Sequence, residues 1–182
     1  MRKLLGHDII STQDDHLQAH GYSEWSSTNI DILPVAVAYP KNTEEVSQIA
    51  KTCTKYKMPM IPYSGGSSLE ANFSAPFGGV SNDFAFMDQI LSVNEEDTDV
   101  VAQPGLQWMR FNEQIKNTGL LFPVDPGPSV KLGGMVETCA SGTNAFRYGA
   151  MREWVINLTC FWQTVASSRP DDALERMRLV TI

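Results

Sequence analysis

An apolar extended run that breaks into a glycine and serine turn is the strongest constraint in this 182-residue chain. Residues 58–63, Met-Pro-Met-Ile-Pro-Tyr, lead directly into Ser64-Gly65-Gly66-Ser67-Ser68. Upstream, Ala36-Val37-Ala38-Tyr39 lies between Pro34 and Pro40 and reads as a short strand. Asn42 or Thr43 can cap a helix, and Glu44 and Glu45 suit its positive N-terminal end. Val46, Ile49, Ala50 and Cys53 then recur at helical spacing through about Tyr56. The order is strand, helix, strand, glycine turn. Glycines at a strand's end let the backbone come close to a ligand, and a run of free amides forms an anion nest without any cation. Ser67 and Ser68 add hydroxyl donors. That is what a pyrophosphate requires. Taken alone, the segment is better read as an ordinary tight turn, because short glycine motifs recur widely. It has neither the Gly-Lys-Ser/Thr of a Walker loop nor the G-x-G-x-x-G spacing of a Rossmann turn.

Further along, residues 79–84, 90–94 and 99–103 read as extended, with a solvated turn at Asn94-Glu95-Glu96-Asp97. Pro104 and Gly105 stop the third stretch. Residues 106–117 have helical periodicity, and Gly119 is placed to cap them. Leu120-Leu121-Phe122-Pro123 is a short apolar run, and Trp154 to Cys160 reads as a buried strand. Between them lies a second small-residue region: Asp125-Pro126-Gly127-Pro128-Ser129, Gly133-Gly134, and residues 137–149, rich in Ser, Gly, Thr and Asn. Pro126 and Pro128 stiffen it, so it can present backbone groups at little ordering cost. Two such loops suit a long dinucleotide gripped at several points.

Charge and composition narrow the classes. The formal net charge is -7 and the basic residues are scattered, so no basic stripe exists for nucleic acid. The three cysteines, Cys53, Cys139 and Cys160, are far apart and lack a C-x-x-C pair, which suits neither a disulfide framework nor a zinc site. The histidines are His7, His16 and His20, all near the N-terminus. No apolar run reaches transmembrane length. The N-terminus starts like a targeting peptide but turns acidic at Asp8, Asp14 and Asp15, and no cleavable signal is read in it. Residues 1–33 are polar, with a short helix expected near 13–20.

The ordered series of segments resembles the FAD-binding domain of the vanillyl-alcohol-oxidase (PCMH-type) flavoprotein superfamily. It resembles most the cytochrome-linked D-lactate dehydrogenases, with the glycolate oxidase flavin subunit as near kin. The segments carrying the likeness are residues 34–46, 62–70, 83–88, 103–105, 122–128, 133–135 and 141–149. Together they cover roughly residues 20–160. The resemblance implies an α+β fold of two α/β subdomains with FAD lying between them, the second incomplete. It divides the chain into a segment 1–33, a domain 34–160 and a divergent tail 161–182.

By the family pattern Pro62, Ser64, Gly65, Gly66, Ser67, Ser68 and Leu69 would hold the pyrophosphate. Pro126, Gly133, Gly134 and Thr138 would line the flavin and its ribityl chain. Gly142, Thr143, Asn144, Tyr148 and Gly149 would complete the dinucleotide site, and the backbone of Ile156 would meet the adenine side. Serines stand where covalently flavinylated relatives carry a histidine, so FAD is expected to be non-covalent. The implied chemistry is oxidation of a D-2-hydroxy acid such as D-lactate, with cytochrome c as electron acceptor and a mitochondrial location. Within this family the substrate arginine and metal histidines lie in a C-terminal cap, so no catalytic base and no metal ligand is assigned here. A non-catalytic FAD-binding fragment and a glycolate oxidase-like subunit are the alternatives.

Several positions depart from the family. Asn72 stands for a histidine and Glu137 for a glycine. If position 137 needs a positive φ, a glutamate there is strained, and weaker FAD binding is expected. The tail from Phe161 resembles what a shifted reading frame would give, which predicts few buried contacts. A well-packed strand at 161–168 would count against that. The other reading is a genuine tail in which Pro170-Asp171-Asp172 cap a short helix from Ala173 to Leu179. Arg147 and Tyr148 are read as positioning the loop rather than as catalytic. Trp108 and Phe111 are read as core. Asp83, Asp88 and Asp99 are read as solvated strand ends rather than a metal cluster.

Overall fold

A computed structural model describes residues 8–161, 167–168, 176–178 and 180–181. The chain divides into two compact units, Met1–Phe86 with Phe161–Ala166, and Met87–Cys160 with Ser167–Ile182.

The first unit is a four-stranded sheet. β1 (Ile10–Ser11) pairs antiparallel with β2 (Ala36–Ala38), and β4 (Val80–Asp83) lies between β2 and β3 (Met60–Tyr63), parallel to both. Parallel neighbours need a crossover, and α2 (Thr43–Lys55) follows β2 and leads back to β3. The Asn42 side chain accepts from the Glu45 amide at 2.9 Å, and Glu45 reaches back to the Lys41 amide at 2.7 Å. The Glu45 N–H, an orphan donor of the first turn, is thereby satisfied, and the chain entering the cap is tied to it. Val46, Ile49, Ala50 and Cys53 form the buried face, as their spacing predicted. All four residues of β4 are buried, as expected for a strand flanked on both edges. Pro62 sits on β3, at the sheet's edge, where a missing N–H is tolerated. The helix expected near 13–20 is α1 (Asp14–Gly21), which packs against β2.

The second unit is built on an antiparallel sheet in the order β5 (Ile90–Asn94), β6 (Asp99–Ala102), β11 (Arg176–Arg178), β8 (Val155–Asn157). Its core gathers Val100, Ala102, Leu106, Phe111, Ile115, Leu120, Phe122, Val124, Leu132, Met135 and Met151. The Phe111 and Phe122 rings meet at 5.3 Å. The predicted helix over 106–117 is α3 (Trp108–Ile115) followed by a 3-10 turn, and Gly119 ends it in the left-handed region with φ 72°. The remaining elements are β7 (Leu120–Leu121), α4 (Leu132–Glu137), α5 (Ala145–Tyr148), β9 (Cys160–Phe161), β10 (Ser167–Ser168) and β12 (Val180–Thr181).

Three expectations are corrected. β8 is not a buried strand: it is the outer strand of its sheet, and Ile156 is 47% exposed. Asp83 and Asp99 are not solvated, because each lies buried with a partner: His20 for Asp83 and Asn94 for Asp99. Arg176–Arg178 is not helical; it pairs on one side with β6 and on the other with β8. Residues 162–166 and 171–175, on which the other tail expectations fall, lie outside the described residues.

Candidate functional site

The first loop leaves β3 at Tyr63 and belongs to the first unit. Among the described residues, the amides of Gly65, Gly66, Ser67, Ser68 and Leu69 have no acceptor. The Ser64 hydroxyl is buried without a hydrogen-bond partner. Gly66 has φ 61°, and a Cβ there would come within 2.4 Å of the Tyr63 hydroxyl. The left-handed backbone therefore favours glycine, while the tyrosine hydroxyl is the movable end of a side chain. The Ser68 hydroxyl faces its own chain, accepting from the Glu70 amide at 3.3 Å and from the Asn72 amide at 3.4 Å. No Lys or Arg occurs between residues 58 and 109, so any anion held here is held by amide and hydroxyl dipoles. Pro62 and Leu69 are exposed beside the loop.

Beneath this loop is a polar cluster that sequence reasoning missed. His20 is 5% exposed, and its Nε2 lies 3.0 Å from Asp83 Oδ2. Its Nδ1 lies 2.7 Å from the His16 carbonyl, and its ring stands 4.2 Å from that of Tyr63. Burial, and next the Asp83 carboxylate, push the Tyr63 phenol above its ordinary range. Tyr39 is raised by the same two causes in the same order, with Tyr63 adding to them. His20 and Asp83 are 63 residues apart, and no spacing rule would have joined them.

The second loop belongs to the second unit. Pro126 is half-buried in the irregular stretch that follows Asp125. Asp125 organises what comes after: its carboxylate accepts from the Thr143 hydroxyl and, at 2.9 Å, from the Asn144 amide. The Met151 amide donates to the Ala140 carbonyl at 2.8 Å, closing the loop at its base. Gly142 packs so tightly that a Cβ would lie 2.1 Å from the Asp125 carbonyl oxygen. Gly133 likewise abuts Pro104, at 2.9 Å from an added Cβ. Those two glycines are therefore required by the protein's own packing. Gly134 accepts the Thr138 hydroxyl on its carbonyl at 2.7 Å. Tyr148 has Arg147 over its ring at 5.2 Å, and its carbonyl accepts from the Trp154 indole at 2.9 Å. Gly149 caps α5 with φ 77°. The amides of Ser141, Gly142 and Thr143 have no acceptor among the described residues.

The expected strain at Glu137 is absent. Glu137 closes α4 with its side chain exposed, and the residue in the left-handed region is Cys139, at φ 50°. The departure from glycine at 137 is accommodated by ordinary helical backbone.

A family model described as FAD binding domain matches residues 34–164. The mitochondrial D-lactate dehydrogenase (cytochrome) of Arabidopsis thaliana is 41% identical over 156 residues, covering 86% of this chain and 28% of that protein. Its counterpart in Kluyveromyces lactis is 43% identical over 150 residues, covering 80% of this chain and 26% of that protein. The chain thus spans somewhat over a quarter of the length of these relatives. A solved structure of alkyldihydroxyacetonephosphate synthase superposes with a TM-score of 0.88 at 19% identity, over 100% of this chain and 43% of that one. That likeness carries the α+β fold. The family's cofactor, FAD, fits the residues present on two observations: the run of unpaired amides at 65–69 and the buried, unpartnered Ser64 hydroxyl.

Proposed function

We propose that this chain, which belongs to the FAD binding domain family, is the flavin-holding portion of a D-2-hydroxy-acid dehydrogenase, with D-lactate as the first substrate to test. The observation that carries the reading is the free amide run behind Ser64. Five N–H groups without an acceptor among the described residues are open to an anion, and the buried Ser64 hydroxyl beside them is costly to leave unpaired. Pro62, Ser64 and residues 65–69 are assigned to the pyrophosphate. Pro126, Gly133, Gly134 and Thr138 are assigned to the flavin and ribityl path. Gly142, Thr143, Asn144, Tyr148 and Gly149 are assigned to the rest of the dinucleotide, and the Ile156 backbone to its adenine side. Residues 64–69 themselves contain no histidine, and the nearby His20 is buried against Asp83, so the flavin is read as held non-covalently and leaves on acid precipitation.

When bound, FAD supplies the hydride acceptor for converting a 2-hydroxy acid to a 2-oxo acid. The residues of this chain bind and orient it. Cytochrome c as acceptor and a mitochondrial location are proposed from the names of the relatives. A visible spectrum of the chain after incubation with FAD and removal of free cofactor tests the binding. Retained flavin bands support it, and a colourless protein sinks it. Anaerobic bleaching of those bands by D-lactate tests the dehydrogenase assignment. Retained but unbleached flavin would leave an FAD-binding module without this catalysis.

A further inference from the structure

The first loop does not set its own shape. Its two turned-in carbonyls are both held by residues 23–27, a segment upstream of the family match. The Ser23 hydroxyl donates to the Gly66 carbonyl at 2.7 Å. That hydroxyl is itself aimed, because it accepts the Trp25 amide at 3.2 Å. Ser23 is 9% exposed and pinned at both backbone groups by Asn29, which accepts its N–H and donates to its C=O, each at 3.0 Å. At the loop's far end, the Ser27 amide and hydroxyl both donate to the Leu69 carbonyl, at 3.0 and 2.8 Å. The Tyr63 hydroxyl, at the near end, donates to the Ala19 carbonyl at 3.2 Å. His20 and Asp83 hold α1, which carries Ala19, to β4.

A peptide unit is planar and trans, so its C=O and N–H point in opposite directions. The Gly66 carbonyl shares its plane with the Ser67 amide. Holding that oxygen toward Ser23 turns the Ser67 N–H away from Ser23, into the run of unpaired amides. We infer that Ser23 is a positioning residue that presets the amide run at 65–69, with Ser27 tying down the loop's far end at Leu69, so that FAD affinity depends on hydroxyls that hold the loop from outside. The inference rests on the assignment of the pyrophosphate to that run.

The test pairs a binding measurement with amide hydrogen exchange on the full chain. Ser23→Ala is expected to weaken FAD binding by about five- to ten-fold, the size of one lost hydrogen bond. It is also expected to speed exchange at residues 65–69 in the cofactor-free chain, and Ser23→Thr, which keeps the hydroxyl, should restore both. Ser27→Ala, at an exposed position that keeps its backbone donor, should give the same pattern at smaller size. Unchanged exchange and affinity in both alanine variants would overturn the inference. If instead FAD fails to protect residues 65–69 in the unmodified chain while Ser23→Ala still speeds their exchange, the pyrophosphate assignment falls and the positioning role of Ser23 toward the loop stands.

Discussion

The first loop accepts hydrogen bonds on its carbonyls from a separate segment and keeps its amides free. The second also leaves the Ser141, Gly142 and Thr143 amides without acceptors among the described residues, but it gives its Thr143 hydroxyl and Asn144 amide to Asp125 and closes on itself through Met151 and Ala140. Their glycines differ in the same way. Gly66 is needed for its left-handed backbone, whereas Gly142 is needed because the Asp125 carbonyl leaves no room for a Cβ. Two stretches that look alike as letters are therefore built on different principles. One is oriented from outside and open to a ligand, and the other is packed from within.

The contrast breaks most visibly if the glycines behave alike. Gly142→Ala forces a methyl onto backbone and should cost about 3 kcal/mol, at the upper end for overpacking. The urea midpoint should drop with an unchanged slope. Gly66→Ala should cost about 1–2 kcal/mol, the left-handed penalty for an L-residue. There the obstructing atom is a tyrosine hydroxyl that can shift. FAD affinity should fall more clearly than stability, and equal stability losses for the two variants would erase the distinction.

Asp125→Ala should cost about 1 kcal/mol, since the Thr143 and Asn144 donors it leaves are exposed and water can replace the carboxylate. Its effect on FAD binding should appear with the flavin spectrum perturbed, and Asp125→Asn should recover part of it.

The smallest effect is confined to the first unit. Tyr39 and Tyr63 have folded pKa values raised above the ordinary 10.0. Below that value both folded and unfolded chains keep these protons, and the stability is fully present. As pH rises through the raised values, the unfolded chain has already released them, so stability is lost. Melting temperature should fall above about pH 10, with tyrosinate absorbance appearing later in the folded protein than in urea. Coincident titrations in the two states would remove this cost.

Much of the fold was legible in the letters. The Asn42 cap and the spacing of Val46, Ile49, Ala50 and Cys53 gave α2 almost to the residue, because local chemistry decides such a helix. The loops were legible because small residues cluster where backbone must turn. The His20–Asp83 pair was not, since a buried hydrogen-bonding partner 63 residues away has no periodic signature. Asp83 misled for the same reason, and Asp99 misled because its partner Asn94 reaches it only once the β5–β6 pairing sets the two opposite each other. Ser23 and Ser27 act on carbonyls, which every residue has, so nothing in the loop's sequence points back to them.

The placement of β11 has a kinetic meaning. The strand between β6 and β8 comes from residues 176–178, about 75 positions after the one it joins on its first side. Until those residues arrive, β6 and β8 each present an unpaired row of amides and carbonyls. Closing so long a loop is slow, and the intermediate is open-edged and prone to self-association. Refolding yield of this chain should therefore fall with protein concentration, and a chaperone that shields strand edges should restore it.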